Sequence, residues 1–271
     1  MPELPEVESV RQCLLQGTPS LVGLTVQKLQ ILRESVVDGD ATRLQQQLTG
    51  STCTDIRRHA KYLFFGFQKP DDDRTTWMVV HLRMTGRLYL LPQAEPVHRH
   101  TRLVLGLDQG VELRFEDPRA FGRVWLVDSP AVVIDTLGPD ALDVGQEQFM
   151  ARLAGVRRQL KPLLLDQSFV SGIGNIYADE LLFRAGLHPQ RTSDSLRSRE
   201  KEQLFKVMHG VLSQAVNLKG ANIDGVFEAG QYPVAVYGCQ GTPCKDCGTP
   251  ILKIRLGQRG THFCPVCQPR S

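Results

Sequence analysis

Four cysteines near the carboxyl end of this 271-residue sequence constrain its fold more than any other feature. Cys244 and Cys247 form one C-x2-C pair, and after 16 further residues Cys264 and Cys267 form a second pair. This spacing is typical of a zinc site, in which two tight turns each direct two thiolates at one metal ion. The intervening sequence PILKIRLGQRGTHF predicts two short strands around residues 257–260. We therefore predict a β-hairpin that holds one structural Zn2+, with no open position for water.

The sequence contains seven cysteines in all. We interpret Cys13 and Cys53 as small buried apolar residues, and Cys239 as an uncommitted thiol near the zinc site. Apolar residues make up 41% of the chain and charged residues 23%, which is globular composition. No apolar run approaches the roughly 20 residues needed to span a bilayer, and the acidic start does not resemble a signal peptide. We expect a soluble cytoplasmic protein with no membrane partner.

Positive charge is concentrated in the second half of the chain. Residues 1–150 hold 16 Lys and Arg against 20 Asp and Glu, a net charge of −4, whereas residues 151–271 hold 16 against 9, a net charge of +7. This asymmetry suggests a polyanionic partner, but an ordinary solvated surface explains it as well.

The pattern of apolar residues predicts an α+β protein. From Glu3 onward, Val7, Val10 and Leu14 recur at helical spacing, so the chain opens with a helix that has one buried face. Residues 22–127 contain short β-rich runs separated by Gly, Asp and Pro, which favours an antiparallel sandwich or barrel. A proline-containing linker follows, then helical periodicity from residue 146, then the zinc hairpin.

Several motifs, taken together, resemble those of one family. PELPEVE, RHAKYL, HLRMTG, DPRAFG and GIGNIYADE, followed by the four-cysteine finger, occur in the order found in bacterial formamidopyrimidine-DNA glycosylases. The chain is similar to this Fpg/Nei family along its whole length. It resembles the oxidised-purine branch, because the pyrimidine branch typically has glycine in place of Leu4 and lacks the arginine and phenylalanine of DPRAFG.

The resemblance implies a domain organisation and a partner. We expect a β-sandwich catalytic domain with a leading helix (1–130), a linker (131–145), a helix–two-turns–helix DNA-binding domain (146–220), and a loop with the zinc finger (221–271). The implied partner is double-stranded DNA with an oxidised base or an abasic site, bound in the cleft between the domains. Nothing in the sequence demands more than a monomer.

The first residues carry the implied chemistry. If Met1 is removed, Pro2 presents a secondary amine whose pKa lies well below that of a lysine side chain, so part of it is unprotonated at neutral pH. A plain helix-start proline is the alternative. The resemblance implies that Pro2 attacks C1′ of the damaged nucleotide and forms an imine. Glu3 then acts as the acid, and Glu6 caps backbone N–H groups at the helix start.

Other residues are expected to contact DNA phosphates. By resemblance, Lys61 and Arg259 belong to the active site and reach the phosphate and sugar of the damaged nucleotide, although a solvated lysine and a solubilising tip arginine are the ordinary alternatives. His81 is either a phosphate ligand or a satisfied histidine of a buried strand. Asn175, with free N–H groups at a helix start, is a phosphate site or only a cap. Lys161 matches a DNA-binding lysine near the active site of relatives.

Three further residues are expected to fill the gap left by a flipped nucleotide. An enzyme that acts on a base within a duplex must extrude it and compensate the lost stacking. The resemblance assigns this wedge to Met84, Arg119 and Phe121, and Arg119 also suits the acceptors of an orphaned cytosine. The alternatives are core positions for Met84 and Phe121 and an ion pair of Arg119 with Asp117.

The sequence thus predicts a bacterial base-excision repair enzyme. It is expected to remove oxidised purines, such as 8-oxoguanine and formamidopyrimidines, and to cleave the abasic strand by β,δ-elimination, near the nucleoid in the cytoplasm. The alternatives are an oxidised-pyrimidine glycosylase of the same family and a non-catalytic binder of lesions or abasic sites. The loop 219–238 looks shorter than the family's usual one, which leaves the lesion preference open.

Overall fold

The computed structural model describes residues 2–223, 225 and 229–270, which divide into two compact units. Unit 1 contains Pro2 and residues 6–135, and unit 2 contains residues 3–5 and the described residues from 136 to 270. The first helix, α1 (Leu4–Gln16), contributes its first two residues to unit 2 and the others to unit 1.

Unit 1 is a β-sandwich of two four-stranded antiparallel sheets. One sheet has the order β1-β6-β7-β5 and the other β2-β3-β4-β8. The core is apolar, and β3 is buried at five consecutive positions, which makes it a central strand covered on both faces. The strands are β1 (Val26–Ile31), β2 (Thr52–His59), β3 (Tyr62–Lys69), β4 (Asp72–His81), β5 (Arg87–Pro92), β6 (Thr101–Leu107), β7 (Val111–Glu116) and β8 (Arg123–Val127).

Two short helices in unit 1 lie outside the predicted pattern. Helix α2 (Ala41–Leu48) begins after Asp40, whose carboxylate accepts the backbone N–H groups of Thr42 and Arg43, and it buries Leu44 and Leu48. Helix α3 (Ala131–Ile134) lies where the sequence predicts the start of a linker.

Unit 2 is helical, with a hairpin at its carboxyl end. A shared apolar core joins the helices α4 (Gln146–Ala154), α5 (Leu160–Leu164), α6 (Asn175–Arg184) and α7 (Ser198–Asn217). The hairpin consists of β9 (Leu252–Leu256) and β10 (Arg259–Phe263). Its two-residue turn, Gly257–Gln258, has positive φ at both positions, which is the turn that matches strand twist. The predicted hairpin is confirmed.

Two observations bear on the smaller predictions. Cys53 is buried as expected, but Cys13 is exposed, so its prediction is wrong. Leu14, and not Cys13, continues the buried stripe of Val7 and Val10 along α1. Among the described residues, no helix combines the length and apolarity needed to cross a bilayer.

Candidate functional site

Glu3 is fixed at the amino end of α6. Its Oε2 accepts the N–H of Gly174 at 2.8 Å and that of Tyr177 at 3.3 Å, and its Oε1 accepts the N–H of Ile176 at 2.8 Å. A helix start leaves its first N–H groups without partners and carries partial positive charge, so a carboxylate is stabilised there. Glu3 is 1% exposed. Its side chain is therefore held in one orientation.

Gly174 makes this arrangement possible. A Cβ built on Gly174 would lie 2.3 Å from Cδ of Glu3, closer than any side chain could tolerate. Gly174, and not Asn175, is the N-cap of α6. The alternative of a plain cap at Asn175 therefore does not hold, and Glu3 accepts the N–H groups of Gly174, Ile176 and Tyr177. Among the described residues, the buried Oδ1 of Asn175 has no hydrogen-bond partner.

Lys161 is buried beneath the hairpin tip. Its Nζ lies 2.6 Å from Oδ1 of Asp179 and donates to the carbonyl of Gly260 at 2.7 Å. Burial lowers the pKa of Lys161, although Asp179 and, more weakly, Glu3 favour the charged form. Because the side chain is fully buried, the structure does not support the predicted contact of Lys161 with DNA. Its contacts instead position the tip.

Asp179 completes the attachment of the hairpin to α6. Its Oδ2 accepts the backbone N–H of His262 at 2.9 Å and lies 3.1 Å from Nδ1 of the same residue. Arg259, at the start of β10, is exposed beside Gly260. Lys161 and Asp179 together therefore hold the strand that carries Arg259.

Lys61 and His81 are neighbours in unit 1. Lys61 lies with Ala60 in the two-residue turn between β2 and β3, and Tyr62, the next residue, pairs with His81 in β4. The ring of Tyr62 meets that of His81 edge-on, with centroids 4.6 Å apart. The turn is anchored by Arg58, which donates to Glu8 at 2.9 Å. Burial opposes ionisation of Glu8, but its arginine partners outweigh burial and lower its pKa.

His81 is a neutral hydrogen-bond donor. Burial, with the charges of Arg83 and Lys61, lowers the pKa of His81 to about 3. Its Nδ1 lies 3.0 Å from the backbone nitrogen of Arg83 and accepts that N–H. The ring proton therefore resides on Nε2, which can donate to a phosphate oxygen.

Met84, Arg119 and Phe121 form an exposed cluster in unit 1. Met84 is 39% and Phe121 46% exposed. Nη1 of Arg119 lies 3.2 Å from Sδ of Met84, and its guanidinium lies 4.5 Å from the ring centroid of Phe121. Two large apolar side chains that stay in solvent around one arginine are unusual for a core and suit insertion between bases. We call these three residues the wedge.

The four cysteines converge as predicted. Their sulfur atoms all lie within 4.8 Å of one another, with 3.8 Å between Cys244 and Cys267 and 3.4 Å between Cys247 and Cys264. A tetrahedral zinc ion with bonds of about 2.3 Å separates its sulfur ligands by about 3.8 Å. These residues therefore fit one zinc ion, and the thiolates leave no position for a catalytic water.

Comparisons with known proteins agree with this geometry. Residues 1–124 match the formamidopyrimidine-DNA glycosylase N-terminal domain, residues 137–225 its H2TH domain, and residues 241–270 the zinc finger found in FPG and IleRS. A formamidopyrimidine-DNA glycosylase from Herpetosiphon aurantiacus is 41% identical, over 99% of this chain and 100% of that protein. Its counterpart from Enterococcus faecalis is 39% identical, over 99% and 97%. The chain belongs to the formamidopyrimidine-DNA glycosylase family.

Solved structures of glycosylases share its fold. A complex of the Lactococcus lactis Fpg with DNA containing an abasic site has a TM-score of 0.90 and 32% identity, covering 99% of this chain and 100% of that one. A structure of MutM with DNA containing carbocyclic 8-oxo-G has a TM-score of 0.89, 32% identity and the same coverage.

The structure of this glycosylase groups most of the predicted residues. Lys61 lies close to His81, and the three residues of the wedge contact one another. In unit 2 the charges of Glu3 and Arg259 both act on Lys161. Glu6 is buried in α1, and Pro2 is buried in unit 1. Met1, on which the state of the Pro2 nitrogen depends, lies outside the described residues.

Three carboxylates that sequence reasoning missed organise these groups. Asp117 accepts N–H groups of the loop that carries Arg119, and Asp179 holds the hairpin. Glu180 accepts the N–H groups of residues 235–237 at 2.8 to 2.9 Å, and burial raises its pKa. The Asp-Pro step of EDPRAFG was an available signal for the first, since aspartate before proline favours a turn in which its side chain accepts backbone N–H groups.

Proposed function

We propose that this chain removes oxidised purines from duplex DNA and cleaves the resulting abasic strand through its amino-terminal proline. In this proposal the Pro2 nitrogen attacks C1′ of the damaged nucleotide and the base leaves. Glu3 donates a proton to O4′ as the sugar ring opens, which leaves an iminium ion between C1′ and the Pro2 nitrogen. This ion acidifies the protons on the neighbouring carbon C2′, so that β- and δ-elimination release both phosphates. No redox cofactor takes part.

The fixed position of Glu3 is the observation that carries this proposal. Glu3 follows Pro2 directly in the chain, and three backbone N–H groups hold its carboxylate. A group that exchanges a proton with the opening sugar must be held in place before the reaction, because effective proton transfer depends on geometry. A helix-start role alone does not require an acidic side chain hydrogen-bonded to residues more than 170 positions away.

The remaining groups supply DNA binding. We assign phosphate contacts to Lys61, His81, Asn175 and Arg259, and insertion into the base stack to the wedge. Asn175 is the first residue of α6, and its NH2 group can donate to a phosphate oxygen. Zinc, held by the four cysteines, stabilises the hairpin that carries Arg259.

The proposal also covers the lesion, the oligomeric state and the location of the protein. We propose 8-oxoguanine and formamidopyrimidines as the preferred lesions, and action as a monomer on nucleoid DNA in the bacterial cytoplasm. The loop 219–238, whose length bears on the choice of lesion, includes residues 224 and 226–228, which lie outside the described residues.

Borohydride trapping tests the central step. The purified protein is incubated with a duplex that carries 8-oxoguanine opposite cytosine, with an oxidised-pyrimidine duplex, and with an abasic duplex, and the imine is reduced to a stable amine. Pro2→Gly is the test variant and Pro5→Gly the matched control, because Pro5 lies in the same segment but has no terminal amine. We expect covalent complexes on the 8-oxoguanine and abasic duplexes. The complex on 8-oxoguanine should be lost in Pro2→Gly, whose primary amine can still react with a preformed abasic aldehyde, and both complexes should be kept in Pro5→Gly.

Each other outcome has a defined meaning. Trapping on the oxidised pyrimidine but not on 8-oxoguanine moves the chain to the other substrate class. Trapping on the abasic duplex alone keeps the amine chemistry and refutes the lesion assignment. If nothing is trapped and Pro2→Gly binds abasic DNA as the parent does, the chain is a binder and not an enzyme.

A further inference from the structure

Two loops of unit 1 carry the wedge, and one buried carboxylate joins them. Met84 lies in the loop between β4 and β5, and Arg119 and Phe121 lie in the loop between β7 and β8. Asp117 comes directly after β7 and is fully buried. Oδ1 of Asp117 accepts the hydroxyl hydrogen of Thr85, the residue after Met84. The two loops are therefore connected beneath the wedge.

The same carboxylate also shapes the second loop. Oδ1 of Asp117 accepts the N–H of Arg119 at 3.1 Å, and Oδ2 accepts the N–H of Gly122 at 2.7 Å. The N–H of Arg119 is also 3.4 Å from the hydroxyl oxygen of Thr85. All of these donors are uncharged, and together they fix both ends of the segment that presents Arg119 and Phe121.

Close packing at Gly122 and hydrogen bonds from Arg102 also hold this loop. A Cβ on Gly122 would lie 2.4 Å from Cζ of Phe115 and 3.2 Å from Oδ2 of Asp117. From the other side, Nε of Arg102 donates to the backbone carbonyl of Asp117 at 2.7 Å, and its Nη2 lies 3.3 Å from the carbonyl of Pro118. The backbone of Asp117 is thus held independently of its side chain.

We infer that Asp117 and Thr85 are positioning residues that hold the wedge in its inserting arrangement before DNA is bound. We call their contact the clasp. The inference rests on the proposed function, because it concerns how the wedge of that enzyme is prepared. Neither side chain is required to touch DNA, since each acts through the loops that it fixes.

The physical reason lies in the cost of inserting side chains into a base stack. Insertion must compensate the unstacking of a base pair, so little binding free energy remains for ordering the inserted groups. Groups that are already ordered in the free protein avoid that entropic cost on binding. Without the clasp, Met84 would be joined to Arg119 only through their exposed side-chain contact, and both loops would have to be ordered on the DNA.

The inference predicts different effects on two substrates. A base that is still stacked must be displaced before it can be excised, whereas an abasic nucleotide has no base to unstack. Loss of the clasp should therefore slow excision of 8-oxoguanine from a duplex by about 10-fold, the loss expected when such side chains must be ordered on binding. Trapping on a preformed abasic duplex should change far less.

The test uses a matched pair of substitutions in the full chain. Thr85→Val removes the hydroxyl group and keeps the shape, whereas Thr85→Ser keeps the hydroxyl group. Asp117→Asn removes the charge of the acceptor, and Asp140→Asn serves as its control, because Asp140 is a buried carboxylate of unit 2 that accepts the N–H of Leu142 at 2.9 Å. Thermal unfolding of each variant establishes that it is folded.

A second readout reports insertion itself. A 2-aminopurine placed beside an uncleavable abasic analogue brightens when it is unstacked, and this signal does not depend on the chemistry of Pro2. We expect the increase on binding to be full in wild type, Thr85→Ser and Asp140→Asn, and reduced in Thr85→Val and Asp117→Asn. Excision of 8-oxoguanine should follow the same order.

The outcomes separate this inference from the proposed function. If wild type neither excises nor traps, the proposed function fails, and the fluorescence series still tests the clasp. If wild type is active but Thr85→Val and Asp117→Asn match it in excision and fluorescence, the inference is wrong. It is also wrong if Thr85→Ser loses as much as Thr85→Val, or if Asp140→Asn loses as much as Asp117→Asn, because packing or general stability would then explain the effect.

Discussion

Two regions of this molecule present an exposed arginine above a buried aspartate, and they do so with different chemistry. In unit 1 Asp117 lies beneath Arg119 and is bonded by two amide N–H groups and one hydroxyl group, all uncharged. In unit 2 Asp179 lies behind the strand that carries Arg259, and its first partner is the ammonium group of Lys161. A carboxylate satisfied by neutral donors can lose one of them and stay partly bonded. A buried ion pair that loses one member leaves an uncompensated charge.

Replacing each aspartate by alanine should change the free energy of unfolding more than any other substitution discussed below, and by different amounts in the two regions. Asp179→Ala leaves the ammonium group of Lys161 buried without its counter-ion, so we expect a loss of about 3–5 kcal/mol in the free energy of unfolding. Asp117→Ala leaves neutral donors without an acceptor, and we expect a loss of about 1–3 kcal/mol. Urea unfolding of both variants measures the difference.

A double replacement sharpens the same comparison. In Lys161→Met with Asp179→Leu both charges are absent, so the double variant should be more stable than Asp179→Ala alone. Two results would show that the charge of Lys161 does not distinguish the regions. One is an equal loss of unfolding free energy in Asp179→Ala and Asp117→Ala, and the other is a double variant that is no more stable than Asp179→Ala.

The sequence indicated which residues the two regions expose, but it did not indicate the buried aspartates that hold those residues in place. The zinc spacing and the strands could be predicted because each depends on residues that are close in sequence, whereas the grouping of Met84 with Arg119 and Phe121 was expected only from the family resemblance. Asp117 and Asp179 could not, because their roles depend on partners such as Thr85 and His262, which only the fold brings close. The sequence also left a plain cap at Asn175 as an alternative. Gly174 is the N-cap of α6, because only a glycine leaves room there for the side chain of Glu3 from the other end of the chain.

Helix α2 and the role of Lys161 were missed for different physical reasons. The α2 helix had a local signal in Asp40, Leu44 and Leu48, which the surrounding β-rich pattern obscured. Lysine is almost never fully buried unless it is paired, so a surface position was the ordinary expectation for Lys161. Its partner Asp179 lies 18 residues further along the chain, on a different helix.

The pH dependence of stability tests whether His81 of unit 1 stays neutral in the folded protein. The pKa of His81 is lowered to about 3 in the folded protein, against about 6.5 when unfolded. Below pH 6.5 the unfolded state therefore binds a proton that the folded state does not. His81 should lower the free energy of unfolding by about 1.4 kcal/mol per pH unit as the pH falls from 6.5 towards 3.

His81→Asn isolates this contribution, because asparagine keeps an acceptor for the N–H of Arg83 and does not titrate. Unfolding measured from pH 7 to pH 4 should show a shallower decline in the variant than in wild type. Parallel curves would mean that His81 takes up its proton in the folded protein over the same pH range as in the unfolded protein.

The smallest effect concerns Arg83, the residue before Met84. It has φ +55, a region that costs side-chain-bearing residues about 1–2 kcal/mol and glycine almost nothing. Arg83→Gly should therefore raise the free energy of unfolding by about 0.5–1 kcal/mol. If the exposed guanidinium binds a phosphate, the same variant should bind DNA more weakly and reduce the slope of log K against log salt by about 1.

Ala120→Gly is the matched control for Arg83→Gly, since Ala120 has φ +53 and no charge. It should give a similar gain in stability with an unchanged salt slope. If Arg83→Gly also leaves the slope of log K against log salt unchanged, Arg83 does not contact DNA, and the strain at that position needs another explanation.

The anchoring of Glu3 has a consequence for the order of events during synthesis. Its partners lie 171 to 174 residues further along the chain, so they do not yet exist when the first residues leave the ribosome. At about 5–20 residues per second, roughly 10–35 s separate the two events. During that interval the amino end is free of the contacts that later bury Glu3, and in the proposed mechanism this is the period in which removal of Met1 would expose the Pro2 nitrogen. The proposed nucleophile would then be formed first and aligned with its acid afterwards.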